Sequence, residues 1–244
     1  MKRLVLFTVL LLAPCIVSVA QSKPSPKGPA PAAKPATNTP DDIAKATLSI
    51  HGGDKLRKLK SLVMKGSVDL SFMGQAVPGA FSTAISGEKY FFDINTPVQQ
   101  LKQVYDGREL YSSIPGFSLP PVTGIGFPII ARIGDSGYVV TALPDGSKKK
   151  KGFRLTTPEG FYTDFFVSDK TGQIKGYESA FETSGRVVTT SVEIDEFQTV
   201  DGIVVPKKYS QRFDLGQIVA YANFKTKDIL VNSKIEDSAF EIPR

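Results

Sequence analysis

The sequence contains a single cysteine, a single histidine and no tryptophan in 244 residues. The cysteine, Cys15, lies so close to the amino terminus that a chain cleaved after Ala20 has no thiol left. Disulfide bonds, cysteine nucleophiles and thiolate metal sites are then excluded together, because each of them needs cysteine. Such a protein must be held together by its hydrophobic core, and a domain of about 200 residues is long enough to build one.

Long hydrophobic runs are also scarce, and the main one stands at the start of the chain. It extends from Leu4 to Ala20 after Met1-Lys2-Arg3 and ends in Ser18-Val19-Ala20. A basic start, an apolar stretch and small residues before the cleavage point predict a secretory signal peptide over residues 1–20. Pro14 interrupts the run, which is shorter than the ~20 apolar residues that span a bilayer. A lipid anchor on Cys15 is the alternative, although proline fits poorly before a lipoprotein-box cysteine.

The next segment, residues 21–40, is rich in proline, alanine and lysine. It offers no apolar surface to bury and favours extended conformations, so we expect a disordered linker. The folded domain is predicted over residues 41–244. Thr39 or Asp41 is a candidate cap for its first helix, which we expect to end at His51-Gly52-Gly53.

From residue 62 onward the apolar period changes from that of a helix to two. Leu62, Met64 and Val68 alternate with mostly polar neighbours, a pattern typical of a strand with one buried face. Short turn sequences such as Asp106-Gly107 and Asp201-Gly202 separate the strands and make them antiparallel neighbours. The sequence therefore predicts a mainly β domain of about ten or eleven strands, with segments at 62–72, 77–85, 90–94, 101–105, 110–114, 161–168, 174–183, 186–197, 203–213 and 218–230.

Residues 115–137 break this pattern, because they are apolar, punctuated by glycine and proline, and not alternating. Phe127, Ile129, Ile130 and Ile133 are expected to line a short helix after Pro128. Two interpretations remain open for this segment. It is either a plug in the core under the sheet or a mobile lid over a cavity.

A sheet of this size needs more cover than the helices provide. Ten strands present roughly 1000 Å² on each face, whereas a helix of ten residues covers about 150 Å². We therefore expect a curved sheet or barrel with an apolar interior, which is either filled by aromatic side chains or partly open as a ligand site. The candidate ligand-binding residues of the cavity and lid are Leu70, Phe72, Phe81, Phe92, Phe127, Ile130, Tyr209 and Phe213. Lys207 and Gln211 are candidates for orienting a polar headgroup.

The sequence shows little that indicates an enzyme. His51 lies at a helix end, where we expect it to interact with the terminal carbonyls of the helix rather than to join a catalytic triad. GxSxG, HExxH and phosphate-loop motifs are absent from the sequence, so we expect no catalytic residues, no metal and no cofactor. A pair of catalytic carboxylates, as in glycosidases, is the remaining enzymatic alternative.

The formal net charge of the whole chain is +6. Lys148 to Lys151 form one basic run, which is predicted to be a solvated turn; peripheral contact with an anionic membrane surface is the alternative. Nucleic acid is not an expected partner, because basic and aromatic residues do not interleave along a recognisable motif.

Several short segments match a known layout in their order and spacing. They are His51-Gly52-Gly53 at the helix end, Gly66 within the first strand, the Asp-Gly hairpin in residues 104–111, Asp201-Gly202 before residues 203–206, and Phe240-Glu241-Ile242-Pro243. Together these segments resemble the LolA/LolB-like superfamily of periplasmic lipoprotein carriers and their outer-membrane lipoprotein-sorting relatives. Members of that superfamily carry an Arg-Pro pair before the hairpin, where this chain has neither residue between Ser86 and Asp93.

The resemblance implies a half-barrel, a curved antiparallel sheet of about eleven strands closed by short helices. It also implies a periplasmic protein of the cell envelope that binds or carries apolar ligands, the acyl chains of lipoproteins or lipids. An envelope protein partner would then receive the ligand. The alternative is a periplasmic recognition or sensor domain whose interior is packed.

Overall fold

A computed structural model describes residues 39–72, 74–114, 124–147, 150–183, 185–214 and 219–243. The predicted signal peptide, Cys15 and all but the last two residues of the predicted linker lie outside these ranges, as do Lys148 and Lys149 of the basic run.

Twelve strands and two α-helices make up the described part of the chain, together with three short 3-10 helices. The α-helices are α1 (Pro40–Ile50) and α2 (Asp54–Arg57), and the 3-10 helices are Phe127–Arg132, Asp145–Ser147 and Asp237–Phe240. The strands are β1 (Ser61–Phe72), β2 (Gln75–Ser86), β3 (Lys89–Asn95), β4 (Gln100–Tyr105), β5 (Leu110–Ser112), β6 (Val139–Thr141), β7 (Gly152–Thr156), β8 (Tyr162–Val167), β9 (Ile174–Thr183), β10 (Arg186–Val200), β11 (Ile203–Asp214) and β12 (Val219–Val231).

All twelve strands form one open antiparallel sheet in the order β5-β4-β3-β2-β1-β12-β11-β10-β9-β8-β7-β6. The first strand thus pairs with the last in the middle of the sheet, while β5 and β6 form its two edges. Between these two strands the chain must pass from one edge of the sheet to the other. The predicted mainly β, antiparallel fold is confirmed, and the sheet has the curved, half-barrel character expected of it.

Two strands, β6 and β7, were not among the predicted segments. The first spans three residues and the second five, so neither is long enough to show a clear period of two. They lie at the edge of the sheet against which α1 packs, and this long-range contact compensates for their weak local pattern.

Gly66 lets β1 bend across the middle of the sheet. The register between β1 and β12 shifts at Lys65/Gly66, which is a bulge, and bulges bend and twist the strand that carries them. A Cβ atom on Gly66 would lie 2.1 Å from the carbonyl oxygen of Lys225. Only glycine fits there without moving the neighbouring backbone.

The first helix starts at a capping box. The Thr39 side chain accepts a hydrogen bond from the Asp42 backbone N–H at 3.2 Å, and the Asp42 carboxylate accepts from the Thr39 N–H at 3.1 Å. Of the two caps that the sequence offers, the structure therefore uses Thr39. Ala44 and Leu48 of this helix are buried in the main core on the concave face of the sheet.

Residues 115–123 of the segment that the sequence leaves open as plug or lid lie outside the described ranges, and the same core encloses much of the remainder, residues 124–137. A 3-10 helix occupies Phe127–Arg132, as the apolar pattern predicts. Ile129, Ile130 and Ile133 are each no more than 1% exposed. These three isoleucines plug the interior of the half-barrel.

The alternation predicts that one face of the sheet is polar and exposed to solvent. The convex face is nevertheless partly buried. Val63, Ala84 and Val104 form a second buried cluster with Phe240 of the last 3-10 helix. The carboxy-terminal segment covers this part of the convex face, which explains why β1 carries apolar residues on both faces.

Candidate functional site

The concave side of the sheet contains a cavity of about 160 Å³ between the strands and the start of the plug segment. Residues from both halves of the sheet contribute to its wall, and four consecutive residues, Ile125 to Pro128, form one side. The remaining lining residues are Leu62, Met64, Thr83, Ile85, Tyr90, Phe92, Gln103, Tyr177, Ser179, Thr190, Val192, Pro206, Tyr209, Gln211 and Phe213.

Half of the predicted ligand-binding residues lie on this wall. They are Phe92, Phe127, Tyr209 and Phe213. Tyr209 and Phe213 both belong to β11, whereas Phe92 comes from β3 and Phe127 from the first 3-10 helix, and the curvature of the sheet brings these three parts of the chain together. Whether they contact a ligand remains a prediction.

Three other candidates lie beside the cavity rather than on its wall. Phe81 is 3% exposed and packs edge-on against Phe224 with 5.0 Å between ring centroids. Ile130 is fully buried in the plug, and Leu70 packs against the main core. The side chain of Phe72 lies outside the described residues.

An aromatic stack separates the cavity from this packed core. The Tyr209 ring lies nearly parallel to that of Phe224, with an interplanar angle of 18° and 4.7 Å between centroids. Phe81 contacts the same Phe224 ring. Phe81, Phe224 and Tyr209 therefore form a row of three rings from the packed core to the cavity, and Tyr209 is the ring that lies on the cavity wall.

The Ile125–Pro128 side of the cavity is fastened to β8 and β9. The Gly126 N–H donates a hydrogen bond to Thr163 Oγ1 at 3.0 Å, and that hydroxyl is 2.9 Å from Ser179 Oγ. The Tyr177 hydroxyl is hydrogen-bonded to the backbone of Phe127. Gly126 has a φ of +80°, and a Cβ atom there would lie 3.2 Å from the Tyr177 ring. The close approach to Tyr177 thus requires glycine.

The polar side chains of the wall mostly bond to one another or to backbone. Gln103 donates to the Tyr90 hydroxyl, Gln211 donates to Thr190 Oγ1 at 2.9 Å, and Thr83 donates to the Phe91 carbonyl. Such pairing lowers the cost of keeping amides and hydroxyls away from water.

The three tyrosines of the wall keep their protons at any physiological pH. Burial raises the pKa of Tyr90 to about 12 and that of Tyr177 to about 12. Burial, with a smaller contribution from Tyr177, also raises the pKa of Tyr209. None of the described lining residues is ionised at neutral pH.

Sequence reasoning missed the small polar members of the wall. Tyr177 and Ser179 are two positions apart on β9, as are Thr190 and Val192 on β10. Ser179 and Thr190 are 1% and 3% exposed. Small hydroxyl residues on the inward parity of a strand leave space that larger apolar residues would fill, and this was the available signal.

The two polar candidates of β11 have different environments. Gln211 lies on the cavity wall. Lys207 instead forms an ion pair of 2.8 Å with Glu196, which also pairs with Lys208. The hydrogen bonds and charges of both lysines lower the pKa of Glu196 to about 2. The register of β10 against β11 shifts at Glu196, and this irregularity takes Lys207 out of the simple alternation.

His51 is fully buried and uses both ring nitrogens structurally. Nδ1–H donates to the Val204 carbonyl at 2.9 Å, and Nε2 accepts a hydrogen bond from the Ile174 N–H at 3.1 Å. The ring is therefore the neutral Nδ1–H tautomer, and neither nitrogen is left to act as a base. The sequence predicts a contact with the terminal carbonyls of the helix, but the ring bonds to the Val204 carbonyl of β11 and to the Ile174 N–H of β9. It therefore joins the end of α1 to these two strands.

The described residues contain no group of three or more histidine, cysteine or acidic side chains that could hold a metal ion. Within the same ranges, no helix has the length and apolar character needed to cross a membrane. Asp164, the most buried of the described carboxylates, accepts two hydrogen bonds from Arg154 at 2.6 and 2.8 Å and does not line the cavity.

No protein-family model and no curated protein matches this sequence. Among solved structures, that of a LolA superfamily protein from Nitrosomonas europaea is similar, with a TM-score of 0.51. The match covers 84% of this chain and 98% of the other at 16% identity. A DUF1329 family protein from Desulfovibrio piger has a TM-score of 0.49 at 12% identity, with 84% and 98% of the two chains covered. The first of these likenesses shows the fold: this chain has the LolA-like fold that its sequence resemblance implies.

Proposed function

We propose that this protein binds part of an apolar molecule, an acyl chain of a lipid or lipoprotein, in the cavity of its half-barrel and carries it through the periplasm. The observation that carries the proposal is a cavity with a mostly apolar wall in the interior of an open, curved sheet. The signal-peptide pattern of residues 1–20 supports the location, and the LolA-like fold supports the class of function.

The size of the cavity limits how much of a ligand it holds. An engineered cavity of about 150 Å³ in another protein stays dry and accepts benzene, and this cavity has a volume of about 160 Å³. A segment of about six carbons is therefore a reasonable guest, and a complete acyl chain requires the wall to move. Burial of each CH₂ contributes about 0.8 kcal/mol, so such a segment contributes about 5 kcal/mol, a Kd on the order of 0.2 mM.

Weak, exchangeable binding suits a carrier in a compartment without ATP. Release then needs only an acceptor that binds the ligand more tightly, and no nucleotide-driven step. A carrier of this kind would hand its ligand to a partner of the envelope.

The proposal can be tested by titrating the mature protein with benzene while following its thermal unfolding and its NMR spectrum. We expect saturable binding that raises the unfolding temperature and shifts signals of the lining residues. Val192→Phe places a larger side chain in the wall, where Val192 is 2% exposed, and should weaken benzene binding at least ~10-fold by occupying the space. Val187→Phe is the matched control, because Val187 lies on the same strand but is 67% exposed.

A second measurement identifies the natural ligand. Native mass spectrometry of protein purified from the periplasmic fraction should show a co-purifying lipid or lipopeptide mass that is reduced in Val192→Phe and retained in Val187→Phe. Absence of both benzene binding and any co-purifying mass would contradict the carrier proposal.

A packed recognition or sensor domain is the second candidate. The plug isoleucines and the Phe81–Phe224 contact already fill a large part of the concave side, which favours a mainly structural interior. Under this alternative the unchanged protein binds no ligand, and neither does Val187→Phe or Val192→Phe.

A further inference from the structure

The cavity wall carries a polar group with which a purely hydrocarbon ligand could not form a hydrogen bond. Its wall includes one phenol hydroxyl, that of Tyr209, that has no hydrogen-bond partner among the described residues. The other two tyrosines of the wall have partners, since Tyr90 bonds to Gln103 and Tyr177 to the Phe127 backbone.

The Tyr209 oxygen also has access to open space. The described side-chain atoms that are both fully enclosed and without a partner are Thr157 Oγ1 and Thr226 Oγ1. Tyr209 is half-buried and lines the cavity. Its ring is fixed by stacking on Phe224 at 4.7 Å, so the position of the hydroxyl is set before any ligand arrives.

The charge of the wall restricts the ligand further. Aspartate, glutamate, lysine, arginine and histidine are all missing from the described lining residues. A carboxylate brought among them would lose its hydration without gaining a cationic partner, which is very unfavourable. A neutral ligand avoids this cost.

From these observations we propose that the site selects a neutral ligand with a hydrogen-bond acceptor, such as the carbonyl of an ester- or amide-linked acyl chain, and that the Tyr209 hydroxyl donates to this acceptor. Free fatty acids in their ionised form are excluded. The inference rests on the proposed function, because it names the chemistry of the ligand that the same cavity would hold.

Three compounds of matched shape test the inference: 2-octanone, 2-methyl-1-octene and heptanoate. The alkene replaces the carbonyl oxygen of the ketone by CH₂, and heptanoate replaces the ketone methyl group by a charged oxygen. Their dissociation constants are measured by NMR titration at pH 7. We expect the ketone to bind about 2- to 10-fold more tightly than the alkene, the usual net effect of one hydrogen bond. Heptanoate should bind at least ~100-fold more weakly than the ketone.

The variant Tyr209→Phe keeps the ring that stacks on Phe224 and removes only the hydroxyl. It should lose the preference for the ketone and bind the alkene at least as tightly as the ketone, because the buried carbonyl then loses its hydration without gaining a donor. Its affinity for the alkene should not fall below that of the unchanged protein. Tyr221→Phe is the matched control, since Tyr221 is 47% exposed on β12 and is not a lining residue. This control should keep the preference for the ketone.

The outcomes separate this inference from the proposed function. Equal binding of ketone and alkene to the unchanged protein, or a preference that survives Tyr209→Phe, would overturn the role of Tyr209 and leave the carrier proposal standing. Heptanoate binding as tightly as the ketone would overturn the selection of neutral ligands. If none of the three compounds binds and benzene does not bind either, the proposed function itself fails.

Discussion

The buried His51 makes the stability of the fold sensitive to mild acid. Its ring joins α1 to β9 and β11 through hydrogen bonds to Val204 and Ile174, and it lies 5.2 Å, centroid to centroid, from both Phe127 and Phe197. Burial lowers the pKa of His51, and the Val204 carbonyl offsets only part of this effect. A protonated ring would direct its Nε2–H at the Ile174 N–H and lose that hydrogen bond.

The sign and the size of the pH effect follow from this shift. Because the folded-state pKa lies below the unfolded value of about 6.5, the unfolded chain takes up a proton first as the pH falls. The free energy of unfolding is therefore constant above pH ~6.5 and decreases below it by up to about 1.4 kcal/mol per pH unit. The decrease stops once the pH falls below the pKa of the folded state. Between pH 7 and pH 5 the loss cannot exceed about 2 kcal/mol, the value reached if the folded-state ring stays neutral throughout.

Urea unfolding at pH 7, 6, 5.5 and 5 measures this loss in the mature protein, purified without a histidine tag. His51→Phe keeps an aromatic ring but leaves the Ile174 N–H without its partner, so it should cost about 1–3 kcal/mol at pH 7 and remove the pH dependence above pH 5. Leu48→Ala is the matched control: Leu48 is 6% exposed on the same helix, and its truncation should cost about 2–5 kcal/mol while the pH dependence stays.

His51 is the only histidine of the sequence, so its ring signals can be followed by NMR without assignment of other histidines. In the folded protein they should titrate below pH ~6.5, the unfolded value. An equal pH dependence in His51→Phe and in the unchanged protein would refute the reasoning, as would a folded-state ring that titrates at or above pH ~6.5. The carboxylates with lowered pKa values, such as Asp42 and Asp106, lose their contribution only at lower pH and do not affect this window.

Two further substitutions test the packing around the sheet centre and the cavity. Gly66→Ala should lower the free energy of unfolding by at least ~2 kcal/mol in urea, because its Cβ would meet the Lys225 carbonyl oxygen at 2.1 Å; Ser67→Ala, at the exposed neighbouring position of β1, is its control, and equal effects would contradict the role of the bulge. Phe81→Asp should prevent folding or cost several kcal/mol, since Phe81 is 3% exposed; a stably folded Phe81→Asp protein, checked by circular dichroism, would show that the packed core extends less far than described.

The strands that could be predicted from the sequence are those that carry their own signal. β1 and β10 are twelve and fifteen residues long, enough to show alternation over part of their length, and Asp-Gly turns stand at the β4–β5 and β10–β11 connections. The three residues of β6 and the burial of Val63 under Phe240 depend on contacts between distant parts of the chain. No local period records such contacts.

The candidate site, too, could be predicted from the sequence only in part. Inward parity identifies Phe81 and Phe92 equally, yet only Phe92 reaches the cavity. Phe224 packs against both rings but lies closer to Phe81, with 5.0 Å between centroids, than to Phe92, with 6.3 Å. The alternation in the sequence predicts which residues point inward. Which of these inward residues line the cavity is decided by their neighbours on other strands.

The plug segment shows where the wall can open for a ligand larger than the cavity. Exposing Ile129, Ile130 and Ile133 would cost about 5–9 kcal/mol at 1.5–3 kcal/mol for each side chain, a sum comparable with the whole stability of a typical domain. Moving Ile125–Pro128 alone breaks the Gly126–Thr163 and Phe127–Tyr177 hydrogen bonds and exposes two buried side chains, Ile125 and Phe127. On the same scale these two side chains cost about 3–6 kcal/mol, and Ile129, Ile130 and Ile133 stay in place. Since a carrier must open without unfolding, we expect movement to end at Pro128. Under the carrier proposal, Ile125–Pro128 then acts as the lid and Ile129 to Ile133 as the plug.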